Sequence, residues 1–362
     1  MSGVFIGGAG AVSAAGWGMV PLRDAVARGV PMDVRSLDRP GWDHGLRARG
    51  VPPPPSRPAF LSHPRLRRSS SITHYAVAAA IEALGGSMTS TQAPIQPAEA
   101  SRLGIVYCVM SGCVSYSRRF YHEVIQNPST ASPLLFPETV FNAPASHLSA
   151  YLGVTSANYT LVGDAGGVLV GLATGARWIR EGRVDRCLLV GAEELDWLTV
   201  DAFRHFDREW IFGEGAGALL LQRAPSLVEL DCVTDAELFT VGRSRMAAAR
   251  RVKEDLPVAL LGELLCDGLS GAVRMDGPEQ KVWDDWRGPR ASVKQVLGDG
   301  LSAGTAWQCA LGFDSILRGE HPAARISVVG CHQQAIAARM IGVREAAWHP
   351  VRSSDLAQNQ PA

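Results

Sequence analysis

The sequence predicts a layered α/β protein made of two similar halves. Short β-rich runs alternate with Ala- and Leu-rich segments at helical spacing. The same grammar restarts near Pro225, and 46% hydrophobic residues in a chain of 362 can fill a substantial core. The expected units are residues 1–224, residues 225–345 and a tail, residues 346–362.

Phe5–Ser13 is an apolar, Gly-rich opening strand and turn. Residues 32–71 read as a long irregular excursion, because Pro52-Pro53-Pro54-Pro55 cannot donate to a sheet or helix ladder. Residues 73–84 form an Ala-rich helix, Leu103–Val109 a buried strand, and residues 116–125 and Ala143–Leu152 two further helices.

Residues 158–193 are the most informative part of the chain. Tyr159-Thr160-Leu161-Val162 is a short strand, Gly163-Asp164-Ala165-Gly166-Gly167 a tight small-residue turn, and residues 168–181 a helix that breaks at Gly182 before a strand at 188–190. A side chain at such a helix entrance lies in the field of unpaired backbone N–H groups, which lowers a thiol pKa and can hold an oxyanion. Ala165 offers no thiol there.

In the second half a strand is expected at 227–230, helices at 246–256 and 258–265, a Gly-rich helix at 301–317 and a strand at 325–329. Residues 333–340 follow, then a polar tail from Arg352. Divergence of the halves hides any internal repeat from direct counting.

Lys and Arg total 35 and so do Asp and Glu, so no whole-chain field favours nucleic acid or an anionic membrane. No stretch of about 18 apolar residues suggests a membrane span, and the start lacks the basic flank of a secretory signal. A cytoplasmic location is the expectation. The seven cysteines are scattered, without Cys-x-x-Cys or metal-ligand spacing, and read as reduced, mostly buried thiols. Neither a metal nor a cofactor is expected.

Several segments together resemble the β-ketoacyl synthase branch of the thiolase superfamily, as far as about Met340. They are the opening run Val4 to Ser13, Arg67-Arg68 before the Ala-rich helix, Ser132-Pro133-Leu134-Leu135-Phe136-Pro137, and Asn142-Ala143-Pro144-Ala145-Ser146-His147. The most specific is Phe206-Asp207-Arg208-Glu209 followed by Gly213-Glu214-Gly215-Ala216-Gly217, whose glycines permit close backbone approach. The resemblance implies a thiolase-like five-layer αβαβα fold, and a dimer joined through the edge strand near 158–162.

It also implies a nucleophilic cysteine and two histidines. By their flanks these positions fall on Ala165, on Gly268 within Gly268-Leu269-Ser270-Gly271-Ala272, and on Asp299, which follows the retained Lys294. The Gly-Phe-Gly loop of the family is Val329-Gly330-Cys331-His332-Gln333 here, and the segment between Glu193 and Phe206 is short. A carboxylate at 299 opposes a developing oxyanion, at roughly 4 kcal/mol for ~4 Å and an effective dielectric of about 20.

Asp164, Phe212, Lys294, Cys331 and His332 are the candidate pocket residues. Asp164 reads first as a helix cap and second as a general acid or base. Adjacent Cys331 and His332 invite a relocated nucleophile and base, but neighbours on a strand point to opposite faces. His147 reads as a satisfied core or interface histidine, and Glu214 as a structural buried carboxylate. The clusters Arg65, Arg67, Arg68 and Arg243, Arg245, Arg250, Arg251 are solvated faces or seats for an acidic carrier protein.

The resemblance therefore points to a noncatalytic, chain-length-factor-like (ketosynthase β) subunit of type II fatty acid or polyketide synthesis. Its expected partners are an active ketosynthase, or a second copy, and acyl carrier protein. The alternatives are an acyltransferase or thioester hydrolase using the degenerate pocket, and a carrier-protein-binding scaffold.

Overall fold

The computed structural model describes residues 3–331 and 333–343. Strands buried on both faces carry continuous apolar runs, and Leu103–Val109 is buried throughout. Such strands demand helices on either side. In the first half, β1 (Phe5–Ser13), β2 (Leu103–Val109), β3 (Asn158–Val162), β4 (Arg186–Glu193) and β5 (Gly215–Gln222) lie in the order β1-β5-β4-β2-β3.

The second half repeats that order. Its strands β6 (Val228–Val233), β7 (Leu264–Cys266), β8 (Arg290–Ala291), β9 (Ala323–Val329) and β10 (Gln334–Gly342) run β6-β10-β9-β7-β8. Directions agree as well: the first two pairings of each set are antiparallel and the last two parallel. This internal duplication survives in topology although sequence counting misses it. β1 and β6 pair over Phe5, Ile6, Val228 and Glu229 and join the two sets.

Helices α1 (Ser71–Ala83), α2 (Val114–Gln126), α3 (Ala143–Leu152) and α4 (Gly167–Arg180) belong to the first half. Helices α5 (Arg245–Glu254), α6 (Val273–Val282) and α7 (Ser302–Leu317) belong to the second. α1 covers β1 and β5 on one outer face, and α5 covers β10 on the other. Between the sheets lie α4 and α7: α7 packs on β4 and β5 on one side and on β9 on the other. The result is the five-layer αβαβα arrangement.

The small residues of β4 and β5 let α7 come close. A Cβ on Gly191 would lie 2.5 Å from the carbonyl oxygen of Ser302, and one on Gly217 would lie 2.7 Å from Ala306. Trp307 then reaches between strands, and its indole N–H donates to the carbonyls of Val12 and Ala216 at 3.0 Å each.

Three expectations change. Residues 258–265 are not a helix: Pro257 precedes them, Gly262 has φ +79°, and only Leu264–Cys266 is regular, as β7. The excursion at 32–71 contains Arg35–Leu37 paired with Leu46–Arg49, which in turn pairs with Phe212–Gly213, a partner far along the chain. Helix α6 was not expected, because Gly277 and Pro278 interrupt its pattern; tertiary packing of Met275, Glu279 and Val282 holds it.

Of the seven cysteines, Cys108, Cys113, Cys187, Cys266 and Cys309 are buried, and Cys232 and Cys331 are half-buried.

Candidate functional site

Ala165 sits in the turn from β3 into α4, Gly268 just after β7, and Asp299 just before α7. These turns all lie at one end of the sheets, so residues more than a hundred apart in sequence face one chamber. Ala165, Gly268, Asp299, Lys294 and Cys331 line it, together with Trp210, Arg245, Ser270, Asp276 and Glu279. Its free volume is about 20 Å³, room for a single water.

The turn at 165 is closed from within. Asp164, almost fully buried, accepts the Gly166 N–H through Oδ1 at 3.1 Å, and its carbonyl accepts the Gly167 N–H at 2.8 Å. Two backbone donors at this helix entrance, the Gly166 and Gly167 N–H groups, are thereby engaged. The Asp164 carboxylate also accepts the Gln333 N–H at 3.3 Å and the Gln334 side-chain amide at 3.4 Å, tying the two halves together. Gly330 is glycine for this reason: a Cβ there would lie 1.8 Å from Asp164 Oδ2.

At 268 the space for a side chain is taken by Glu279. A Cβ on Gly268 would come within 2.7 Å of Glu279 Oε2, while Oε1 accepts the Gly268 N–H at 3.0 Å and the Ser327 hydroxyl at 2.6 Å. Burial, then nearby Asp267, pushes Glu279 up to about 7. Asp276 caps the same loop, accepting from the Ser270 N–H and hydroxyl and from the Gly271 N–H at 2.7–3.0 Å.

Asp299 is held on three sides. Oδ1 lies 3.4 Å from Lys294 Nζ and accepts the Leu301 N–H at 2.9 Å, and Oδ2 accepts the Trp210 indole N–H at 3.1 Å. Both charged side chains are buried, so the retained Lys294 has a counter-charge rather than a catalytic neighbour. Leu301 is the one non-glycine residue with positive φ (49°) among the described residues, a strained junction into α7.

Cys331 gains no activation. Burial first, then Asp164 and Asp299, pushes its thiol up to about 12, so at neutral pH it is not a thiolate. His332 lies outside the described residues. Phe212 does not line the chamber as expected. It packs behind it with Phe203 and Trp210, at centroid distances of 5.4 and 4.7 Å, and Trp210 takes the wall position. Trp210, Arg245, Ser270 and Glu279 were missed as lining residues; Glu279 comes from the unexpected α6, and no local pattern marks the others.

Outside the chamber a wider cleft of about 440 Å³ shares Arg245, Met275 and Cys331 with it. No group of His, Cys, Asp and Glu side chains among the described residues has metal-binding geometry. No helix among them is long and apolar enough to cross a membrane.

The edge strand β3 ends the sheet order and pairs only with β2 among the described residues. Tyr159 and Val162 on it are exposed, as are Tyr121, Ile125, Phe136 and Phe141 on the neighbouring segments.

A doubled βαβ core with its turns converging on one chamber defines the thiolase-like condensing-enzyme fold. The model of the 3-oxoacyl-[acyl-carrier-protein] synthase III family matches residues 159–236, the stretch from β3 into β6. A β-ketoacyl-[acyl-carrier-protein] synthase III of Rickettsia felis is 35% identical over 113 residues, 29% of this chain and 32% of that protein. One of Synechococcus elongatus is 30% identical over 172 residues, 46% of this chain and 48% of that protein. The matched stretches thus span about a third to a half of these relatives.

Among solved structures, the ishigamide ketosynthase/chain length factor superposes with TM-score 0.75 and 18% identity, over 94% of this chain and 100% of that one. A ketosynthase in complex with its chain length factor from Xenorhabdus doucetiae gives TM-score 0.71 and 18% identity, over 94% and 98%. The chain is thus similar to β-ketoacyl synthases over part of its length, and it shares the fold of the solved ketosynthases over nearly all of it.

Proposed function

We propose that this chain is a noncatalytic ketosynthase-like subunit that pairs with an active β-ketoacyl synthase, in the manner of a chain length factor. The observation that carries the reading is the small free volume of the chamber. Ala165, Gly268 and Asp299 line a space for one water, where an acyl-cysteine and two imidazoles would need far more. The Gly166 and Gly167 N–H groups, both bonded to Asp164, support it further, since neither is available to an oxyanion.

The partner surface in this reading is the β3 edge with its exposed apolar strip. An unpaired edge strand offers a row of N–H and C=O groups to a matching strand, and Tyr159, Val162, Tyr121 and Phe141 supply apolar area beside it. The active subunit would bring the nucleophile and this chain a wall of the acyl pocket, with acyl carrier protein delivering substrate in the cytoplasm. The small chamber speaks against the other readings, an acyltransferase or hydrolase acting through Asp164, and leaves a carrier-protein scaffold as an outcome of the test.

The test is to co-express the chain with candidate ketosynthases and carrier protein, isolate complexes, and measure malonyl-dependent elongation with and without it. A stable one-to-one complex whose product length depends on this chain is the expected result. Turnover of acyl or malonyl thioesters by the purified chain alone, abolished by Asp164→Asn, would overturn the proposal.

A further inference from the structure

The cleft outside the narrow chamber has a chemistry of its own. At about 440 Å³ it falls in the range that takes small organic ligands, and Phe206, Phe239, Val241 and Pro278 give it apolar walls. At its floor, where it meets the chamber, stands Arg245, only 6% exposed. The Arg245 Nε–H donates to the Gly330 carbonyl at 3.2 Å, and the guanidinium carbon lies 5.9 Å from the ring centroid of Phe239.

Glu279, Asp276 and Asp164 act on Arg245 through space, yet it takes part in no ion pair with a carboxylate among the described residues. With Nε–H bonded to Gly330, the terminal forked donors of this guanidinium can take a bidentate anion that enters the cleft. A second cation, the exposed Arg274, lines the same cleft.

We propose that this cleft is a receptor for a free carboxylic acid with an apolar body. The carboxylate is held by Arg245, assisted by Arg274, and the hydrocarbon lies against Phe206 and Phe239. A neutral amide or thioester arm would leave the buried guanidinium without an anion, and its end would meet a chamber with room for one water. A bare phosphate would leave the apolar walls empty. The ligand class is the acid that hydrolysis of a carrier-bound acyl chain releases, or that a chain-activating reaction consumes. This inference does not depend on the pairing proposed above.

The experiment is titration calorimetry on the full chain with octanoate, octanamide, inorganic phosphate and phosphopantetheine. Octanoate is expected to bind saturably, with octanamide and inorganic phosphate at least about 10-fold weaker, because a charged hydrogen-bond pair is lost in the first and the apolar contact in the second. Arg274→Gln is expected to weaken octanoate about 3- to 10-fold and Arg245→Gln at least about 10-fold, with folding checked by circular dichroism. If Arg245→Gln fails to fold, Arg274→Gln and the acid–amide comparison decide. Equal binding of acid and amide, no octanoate binding to the folded chain, octanoate binding unchanged in Arg274→Gln, or tighter binding of phosphopantetheine or phosphate than of octanoate would each overturn the proposal.

Discussion

A cysteine placed at 165 would face walls that carry Glu279, Asp276 and Asp299, and the helix-entrance N–H groups beside it are already bonded to Asp164. Burial and neighbouring carboxylates both disfavour a thiolate. Ala165→Cys should therefore alkylate with iodoacetamide at pH 7.5 more slowly than a free thiol and restore no condensation; fast labelling would show the chamber to be open. Asp299 is bound up with Lys294 in the opposite way, by attraction. Asp299→Ala leaves the buried ammonium without its partner and should lower stability by about 3–5 kcal/mol in denaturant unfolding, with Asp299→Asn losing less because it can still accept from Trp210.

At the scale of elements, β3 and α4 build the seat and β3 also forms the sheet edge. Their places were legible in the sequence because strand, small-residue turn and helix follow one another locally. α6 was not, since Gly277 and Pro278 obscure its periodicity, and Glu279 with it. The run at 258–265 failed for the converse reason: its apolar residues look helical, but Val258 and Leu261 are almost fully exposed, and Glu263 takes the Leu260 N–H at 2.7 Å. If β3 is the association edge, Val162→Asp, at an exposed position, should keep the fold and abolish co-purification with a ketosynthase partner. Retained association, read by light scattering after gel filtration, would place the interface elsewhere.

For the whole molecule, buried carboxylates set the response to pH. Burial, the largest cause in each case, pushes Glu193 up to about 8, Glu194 and Glu279 to about 7 and Asp267 to about 6. Between the ordinary carboxylate range and pH 8 the folded chain then holds more protons than the unfolded one, so stability falls as pH rises through this window. Glu263 runs against this trend: burial would raise it, but Arg339, the Leu260 N–H and Arg325 together hold it below its ordinary value, so its contribution is lost only in acid. The urea midpoint should be higher near pH 6 than at pH 8.5, and a flat profile would show that these groups are solvated.

The sequence by itself determined the two-part α/β layout, the strand-turn-helix seat, and the absence of a sulfur at 165. Each depends on residue types and spacing within a few dozen positions, where period and turn chemistry act directly. Tertiary structure alone decided that Ala165, Gly268 and Asp299 share one chamber, that Glu279 fills the space beside Gly268, and that Arg245 lies at the floor of a cleft. Those facts arise where turns from distant strands converge and close packing fills the volume between them, and no local pattern encodes that meeting.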